Sequence, residues 1–170
     1  MNNNDILIRL RYALDFSNQQ MVEIFRLGGK EMDLPTLGQL LTKQDPEADL
    51  PRDAVCDSRT LEQFLNGLIV FKRGPQPAKP GVTPPNPFQI TSQAHVNNVM
   101  IKKVKIALTM TSEDIQECLH LAGLYVSPSE IGAILRKAGQ RNYMPCKDSF
   151  ARNFLKGLTI RERKIDTTEA

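Results

Sequence analysis

Apolar positions recur along the chain with the period of helices. Ile6, Leu10, Ala13 and Leu14 fall at i, i+4, i+7 and i+8 and mark one face of a first helix, with Asn3 and Asn4 as candidate N-caps. Ser17 with Gln20 three residues on has the form of a capping box. It opens a second helix burying Met21, Ile24, Phe25 and Gly28 and stopping at Gly28-Gly29. Asp33, with Pro35 just inside, starts a third helix carrying Leu37, Leu40 and Leu41. An acidic, proline-containing loop over 44–57 follows. A fourth helix from about Ser58 to Phe71 then buries Leu61, Phe64, Leu65 and Leu68.

The pattern breaks over residues 72–95. Six of the eleven prolines stand there (Pro75, Pro77, Pro80, Pro84, Pro85, Pro87), with little apolar periodicity. Such a segment reads as an exposed, semi-extended linker of about 3.1 Å per residue where polyproline II forms. Phe88 and Ile90 are its two candidate anchors.

The helical pattern then returns. An offset of 94 carries Asn3-Asn4 onto Asn97-Asn98, Ala13-Leu14 onto Ala107-Leu108, Leu27 onto Leu121, Gly29 onto Gly123 and Lys43 onto Lys137. After a shorter loop the offset becomes 90. Cys56 then falls on Cys146, and Phe64-Leu65-Asn66-Gly67-Leu68 falls on Phe154-Leu155-Lys156-Gly157-Leu158. Core positions keep their class: Met100, Val104, Ala107 and Leu108; Ile115, Cys118, Leu119 and Ala122; Ile131, Ile134 and Leu135. Thr111 replaces Ser17 as a cap, and Ser127-Pro128-Ser129-Glu130 opens the helix corresponding to the third.

Identity, periodicity and caps thus agree on an internal duplication. The expected architecture is all-α: two tandem four-helix units joined by a Pro-rich linker about a pseudo-two-fold axis. The boundaries are 1–71, linker 72–95, 96–162 and a tail 163–170. Under 75 residues is small for a self-sufficient core, so the two units gain by packing on each other.

The shared Phe-Leu-x-Gly-Leu block carries the packing expectation. Its Phe and two Leu lie on one helical face. Glycine inside a helix costs about 1 kcal/mol relative to alanine, so Gly67 and Gly157 must be offset by close helix approach. The third residue, Asn66 or Lys156, is expected to face away from the core.

Asn-Asn-Asp-Ile near the start, Arg11 to Leu14, and Phe64 to Ile69 before Lys72-Arg73-Gly74 have a further meaning. With Asn97-Asn98 and Phe154 to Leu158, they make the chain resemble the YehS-like family of uncharacterised bacterial proteins. The resemblance covers nearly the whole chain. It implies a domain of unknown function present twice in a bacterial cytosolic protein, and it carries no activity and no site residues.

Composition narrows the functional classes. Hydrophobic residues make up 41% and charged residues 24%, ordinary for a soluble globular protein. The N-terminal sequence lacks the basic and apolar regions of a signal peptide, and no uncharged apolar run approaches a membrane span. Three cysteines without a Cys-x-x-Cys pair fit a reducing cytoplasm. The net charge of +3 divides unevenly: residues 1–71 carry −4 and residues 72–170 carry +7. That asymmetry is consistent with an anionic partner or with mutual attraction of the halves.

Catalytic candidates are weak. Cys56 and Cys146 precede the fourth helix of each unit, where a thiol pKa can fall. His95 and His120 offer no convincing pairing with them, and burial of the cysteines is the expected outcome. Asp45, Glu47, Asp49 and Asp53 alternate like a calcium loop but lack its glycine and its final glutamate. Gly28-Gly29-Lys30 lacks the phosphate-loop pattern. No catalytic, cofactor or metal residues are assigned.

Residues Glu113 to Tyr143 have the outline of a helix-turn-helix, with Arg136, Lys137 and Arg141 expected to end its second helix. Lys102, Lys103 and Lys105, with Arg9 and Arg11 in the other copy, add charge on the first helices. Those two sets in the second unit are the candidate nucleic-acid contacts. Against them, Ser129, Glu130 and Ala133 are an indifferent set for base readout, and the core-facing aromatics leave no stacking platform. The leading expectation is a non-enzymatic binding or adaptor module with a protein partner. The alternative is a DNA- or RNA-binding regulator using the basic C-terminal half. An enzyme is third.

Overall fold

The computed structural model describes residues 1–45, 47 and 49–170, with Asp53 described for its backbone alone. Pro46 and Ala48 of the expected acidic loop lie outside the described residues. Eight α-helices and no strand occur among the described residues. The first unit holds α1 (Asn3–Ala13), α2 (Asn18–Leu27), α3 (Leu34–Leu40) and α4 (Ser58–Arg73). The second holds α5 (Val96–Ala107), α6 (Ser112–Leu121), α7 (Pro128–Leu135) and α8 (Asp148–Arg163). Short 3-10 turns lie at Arg52–Ala54 and Gln93–His95.

Capping chemistry sets most of the starts. Ser17 and Gln20 form the anticipated box at α2, and Thr111 and Asp114 form its counterpart at α6. Asp33 accepts from the Thr36 amide at α3, Asp57 from the Thr60 amide at α4, and Ser127 from the Glu130 amide at α7. The α2 stop is also as expected: Gly29 takes φ +91°, and the next amide returns to the Phe25 carbonyl at 2.9 Å.

The asparagine pairs are a correction. Asn2, not Asn3 or Asn4, caps α1, while Asn3, Asn4, Asn97 and Asn98 are buried inside helices. The Asn4 amide donates to the carbonyls of Leu40 (3.0 Å) and Ala54 (2.9 Å), and its oxygen accepts from the Cys56 amide (3.0 Å). Asn98 does the same for Ile134 (3.0 Å), Met144 (2.8 Å) and Cys146 (2.8 Å). Each asparagine therefore satisfies three backbone groups that the loop before the last helix would otherwise leave unpaired in the core. The pairs recur because the loop recurs.

Within each unit the second and fourth helices touch at the glycine notch. A β-carbon on Gly67 would fall on the Ile24 carbonyl, and one on Gly157 on the Cys118 carbonyl. Gly28 matches this from the other side, where a β-carbon would meet the Gln63 carbonyl. Phe64, Leu65 and Leu68, and Phe154, Leu155 and Leu158, are all 0–1% exposed. Burying one such side chain contributes about 1.5–3 kcal/mol. The repeated block is a packing element, as its periodicity indicates.

The units are interlocked. α1 packs on α8 of the other unit, and α5, its counterpart, packs on α4. This exchange relates the halves as a pseudo-two-fold axis requires. One continuous core runs from Ile6 through Leu68 to Leu158. Arg163 ties the end of α8 to the corner after α1, reaching the Tyr12 carbonyl and the Asp15 carboxylate at 3.0 Å each. No helix among the described residues is long and apolar enough to cross a membrane.

Candidate binding grooves between the repeats

The exchanged packing creates two equivalent grooves, one between α4 and α5 and one between α1 and α8. The α4–α5 groove is filled by the linker. Glu62 on α4 is 1% exposed, and its carboxylate accepts from the backbone amides of Gln89 (2.7 Å) and Ile90 (2.9 Å). It also pairs with Lys103 of α5 at 2.7 Å. The Lys103 ammonium donates further to Asn66 Oδ1 (2.6 Å) and to the Pro87 carbonyl (2.5 Å), and Asn66 donates to that same carbonyl at 3.0 Å. The Arg59 guanidinium lies 3.5 Å from the centre of the Phe88 ring. Phe88 and Ile90 are half-buried, the two anchors read from the sequence.

This network corrects two expectations. Lys103 is not a free phosphate contact: it is 4% exposed, and burial pulls its ammonium below the ordinary Lys range despite the Glu62 partner. Asn66 does not simply face solvent, because it completes the linker's hydrogen bonds. Neither was visible in the helical period, which places both side chains at the edge of a face that only the other unit covers.

The α1–α8 groove has a volume of about 390 Å³ and holds no linker. Ile8, Tyr12, Leu155 and Thr159 line it, with Arg9, Arg152 and Lys156, and Ala170 of the chain's own last segment stands at its side. By the internal offsets these three basic residues stand where Lys103, Glu62 and Asn66 stand in the filled groove. Sequence reasoning missed this. The usable signal was a charge reversal between the copies, Glu62 against Arg152, beside a conserved-class Phe-Leu face.

A third space of about 350 Å³ opens at the end of the linker, where Phe88, His95, Lys102, Arg136, Lys137 and Tyr143 converge. His95 Nδ1 and the Tyr143 hydroxyl are 2.8 Å apart, and burial raises the phenol's pKa. Three of the candidate nucleic-acid contacts, Lys102, Arg136 and Lys137, are therefore brought together. Lys105, in the last turn of α5, and exposed Arg141 lie outside this lining. The helix expected to carry the other basic residues ends earlier, at Leu135. Arg136 and Lys137 sit in the following loop, where Arg136 donates to the Asn142 carbonyl at 3.1 Å.

The thiols are unsuited to nucleophilic work. Cys56, Cys118 and Cys146 are 0–5% exposed and free. Burial pushes Cys56 and Cys146 up to about 12 and Cys118 up to about 11. Among the described residues no three His, Cys, Asp or Glu side chains gather to hold a metal ion.

Comparison with known proteins agrees with the duplication. Residues 3–74 and 97–164 both match the family described as Protein of unknown function (DUF1456). Uncharacterized protein YehS of Escherichia coli (strain K12) is 35% identical over 162 residues, covering 95% of this chain and 97% of that protein. No solved structure matches the chain. The chain belongs to the family described as Protein of unknown function (DUF1456), with the family's domain present in two tandem copies.

Proposed function

We propose that the protein is a cytoplasmic, non-enzymatic binding module whose inter-repeat grooves hold extended segments of polypeptide, with another protein as partner. One observation carries this reading. The α4–α5 groove already holds a non-helical stretch of the chain, residues 87–90, through its backbone amides and a carbonyl. The equivalent α1–α8 groove is built from the corresponding helices and holds no linker; only Ala170, from the chain's own last segment, enters its lining. A fold that binds its own chain in one of two equivalent grooves has the geometry to bind another chain in the second.

The test is site-specific photo-crosslinking in cells. A benzophenone side chain replaces Tyr12, which lines the open groove and is 44% exposed. A control replaces Tyr125, 76% exposed on the α6–α7 turn. The reading expects a discrete nuclease-resistant protein adduct from position 12 alone. Adducts that nuclease removes, or none at all, would count against it.

A second reading is favoured by the convergence of Lys102, Arg136 and Lys137 on one cleft. Under it the protein binds DNA or RNA through phosphate contacts there. Three such contacts predict a logarithmic salt slope of about −3. Replacing the three residues by alanine would abolish the mobility shift of a labelled duplex or RNA, and no binding at low salt would end this alternative.

A further inference from the structure

The two grooves share a scaffold but differ in the sign of the groups on it. In the filled groove, α4 presents a carboxylate. Glu62 is an acceptor, and what it holds are donors, the amides of Gln89 and Ile90. The cation opposite, Lys103, is neutralised by Glu62 and spends its remaining protons on Asn66 and the Pro87 carbonyl. The groove is electrically balanced and suits an uncharged strand.

In the open groove every one of those positions is a cation. Arg152 replaces Glu62, Arg9 replaces Lys103 and Lys156 replaces Asn66. Among the described residues none of the three is salt-bridged. The carboxylates nearest in sequence on the same helices have other hydrogen-bond partners: Asp5 accepts from the Asn2 amide at 3.0 Å, and Asp148, which feels the Arg152 charge without pairing with it, accepts from Asn97 at 2.8 Å and from the Met1 ammonium at 3.1 Å. Arg9 and Arg152 are exposed and Lys156 is half-buried, so all three are reachable. Every hydrogen-bonding group these side chains offer is a donor. The occupant must therefore supply acceptors and negative charge at the spacing of an extended chain.

We propose that the α1–α8 groove binds an extended acidic segment of a partner protein, its carboxylates on Arg9, Arg152 and Lys156 and its backbone along Ile8, Tyr12 and Leu155. Peptide is favoured over nucleic acid because the equivalent groove accommodates a single non-helical stretch of polypeptide, held by its backbone. Tyr12 is the one aromatic ring in the lining, and the Arg163 guanidinium lies 4.4 Å from its centre, so the bases of a nucleic acid find little face to stack on. The inference rests on the reading of the protein as a module for extended segments.

The probe is a dye-labelled hexaglutamate peptide, titrated against the full chain at low salt by fluorescence anisotropy. A labelled single-stranded oligothymidine of matched charge is the comparison. The expected result is saturable hexaglutamate binding that weakens at least about tenfold in the Arg9→Gln, Arg152→Gln, Lys156→Gln variant, the equivalent of one charge-assisted contact. Lys43→Gln with Lys79→Gln, at exposed lysines outside the groove, should leave it unchanged. The three residues of the groove are surface-facing, so far-UV circular dichroism of the variant should match the parent. Absent binding, or binding indifferent to the three substitutions, would overturn the proposal. So would oligothymidine binding more tightly with the same dependence on these residues. The chain's own last segment enters the groove, with Ala170 in its lining and the Tyr12 hydroxyl donating to the Glu169 carbonyl at 3.4 Å. Binding seen only after removal of residues 166–170 would assign the groove to that segment and also overturn the proposal. A protein adduct at position 12 without hexaglutamate binding would leave the broader reading standing and remove only the acidic occupant.

Discussion

Replacing Glu62 by alanine tests the linker network most sharply. The substitution removes one carboxylate and leaves three donors without an acceptor: the Gln89 amide, the Ile90 amide and one proton of Lys103. Two of them can recover by moving. If residues 87–90 lift from the groove, their amides meet water at little cost. Lys103 cannot follow, because its side chain is 5% exposed and rooted on α5 among core residues. Breaking a buried ion pair from one side costs about 3–5 kcal/mol, chiefly for the charge left behind. The low end applies here, since Asn66 and water entering behind the departing linker would share the ammonium. The expected loss is about 3 kcal/mol, a fall in melting temperature of about 6–12 °C for a chain of this size. Urea denaturation supplies the first number. Amide hydrogen exchange supplies the mechanism, with Gln89 and Ile90 losing their protection. The double variant Glu62→Ala, Lys103→Met should recover most of the stability without restoring that protection. A single-variant loss below about 1 kcal/mol, or protection at Gln89 and Ile90 that persists, would refute the reasoning.

Other positions give predictions of opposite sign. Gly157→Ala gains about 1 kcal/mol of helix propensity but drives a methyl into the Cys118 carbonyl, so urea melts should show a net loss of about 2 kcal/mol. Gly132→Ala, in the middle of α7 with open space around it, should instead gain up to about 1 kcal/mol by the same assay. Thr109 holds φ +53° after α5, a left-handed conformation costly for a β-branched residue. Thr109→Asn should therefore raise stability by about 0.5–1 kcal/mol, with unchanged stability as the contrary result. Three capping aspartates sit below their ordinary pKa of 3.8. Asp33 is held down by the Thr36 hydroxyl and amide, and Asp114 by the Thr111 amide. Asp57 is pushed up by burial but more than offset by Thr60 and the nearby Lys30 and Arg52. The unfolded chain takes up these protons first. Their contribution is thus complete above about pH 5 and declines as pH falls through 3.8 towards the lower folded values; a urea midpoint unchanged at pH 3 would contradict it.

Much of this architecture was legible in the chain. The helical period, the caps at Ser17, Asp33, Thr111 and Ser127, and the glycine notch are local features, and local physics fixes them. What was not legible depends on the other unit. Lys103 and Asn66 read as surface residues because their own helix exposes them; the linker and the opposite helix bury them. Asn3-Asn4 and Asn97-Asn98 resemble caps in sequence, because asparagine serves both as a cap and as a three-bonded core clamp, and only the loop's position decides. The basic residues at 136 and 137 were placed on a helix that stops at Leu135, since its apolar period runs on without a glycine to end it. The open groove itself needed the exchanged packing to be seen, but the charge difference on its walls did not. Comparing the copies residue by residue exposes Glu62 against Arg152 and Lys103 against Arg9.

All the functional reasoning depends on the grooves, and the grooves exist only if the first helix of each unit packs on the last helix of the other. Differential scanning calorimetry of the intact chain tests that claim most directly. One interlocked body should unfold in a single transition whose calorimetric and van't Hoff enthalpies agree, at about 120 kcal/mol for a midpoint of about 60 °C. Two resolved transitions, or a calorimetric enthalpy about twice the van't Hoff value, would mean two independent four-helix units and would contradict it.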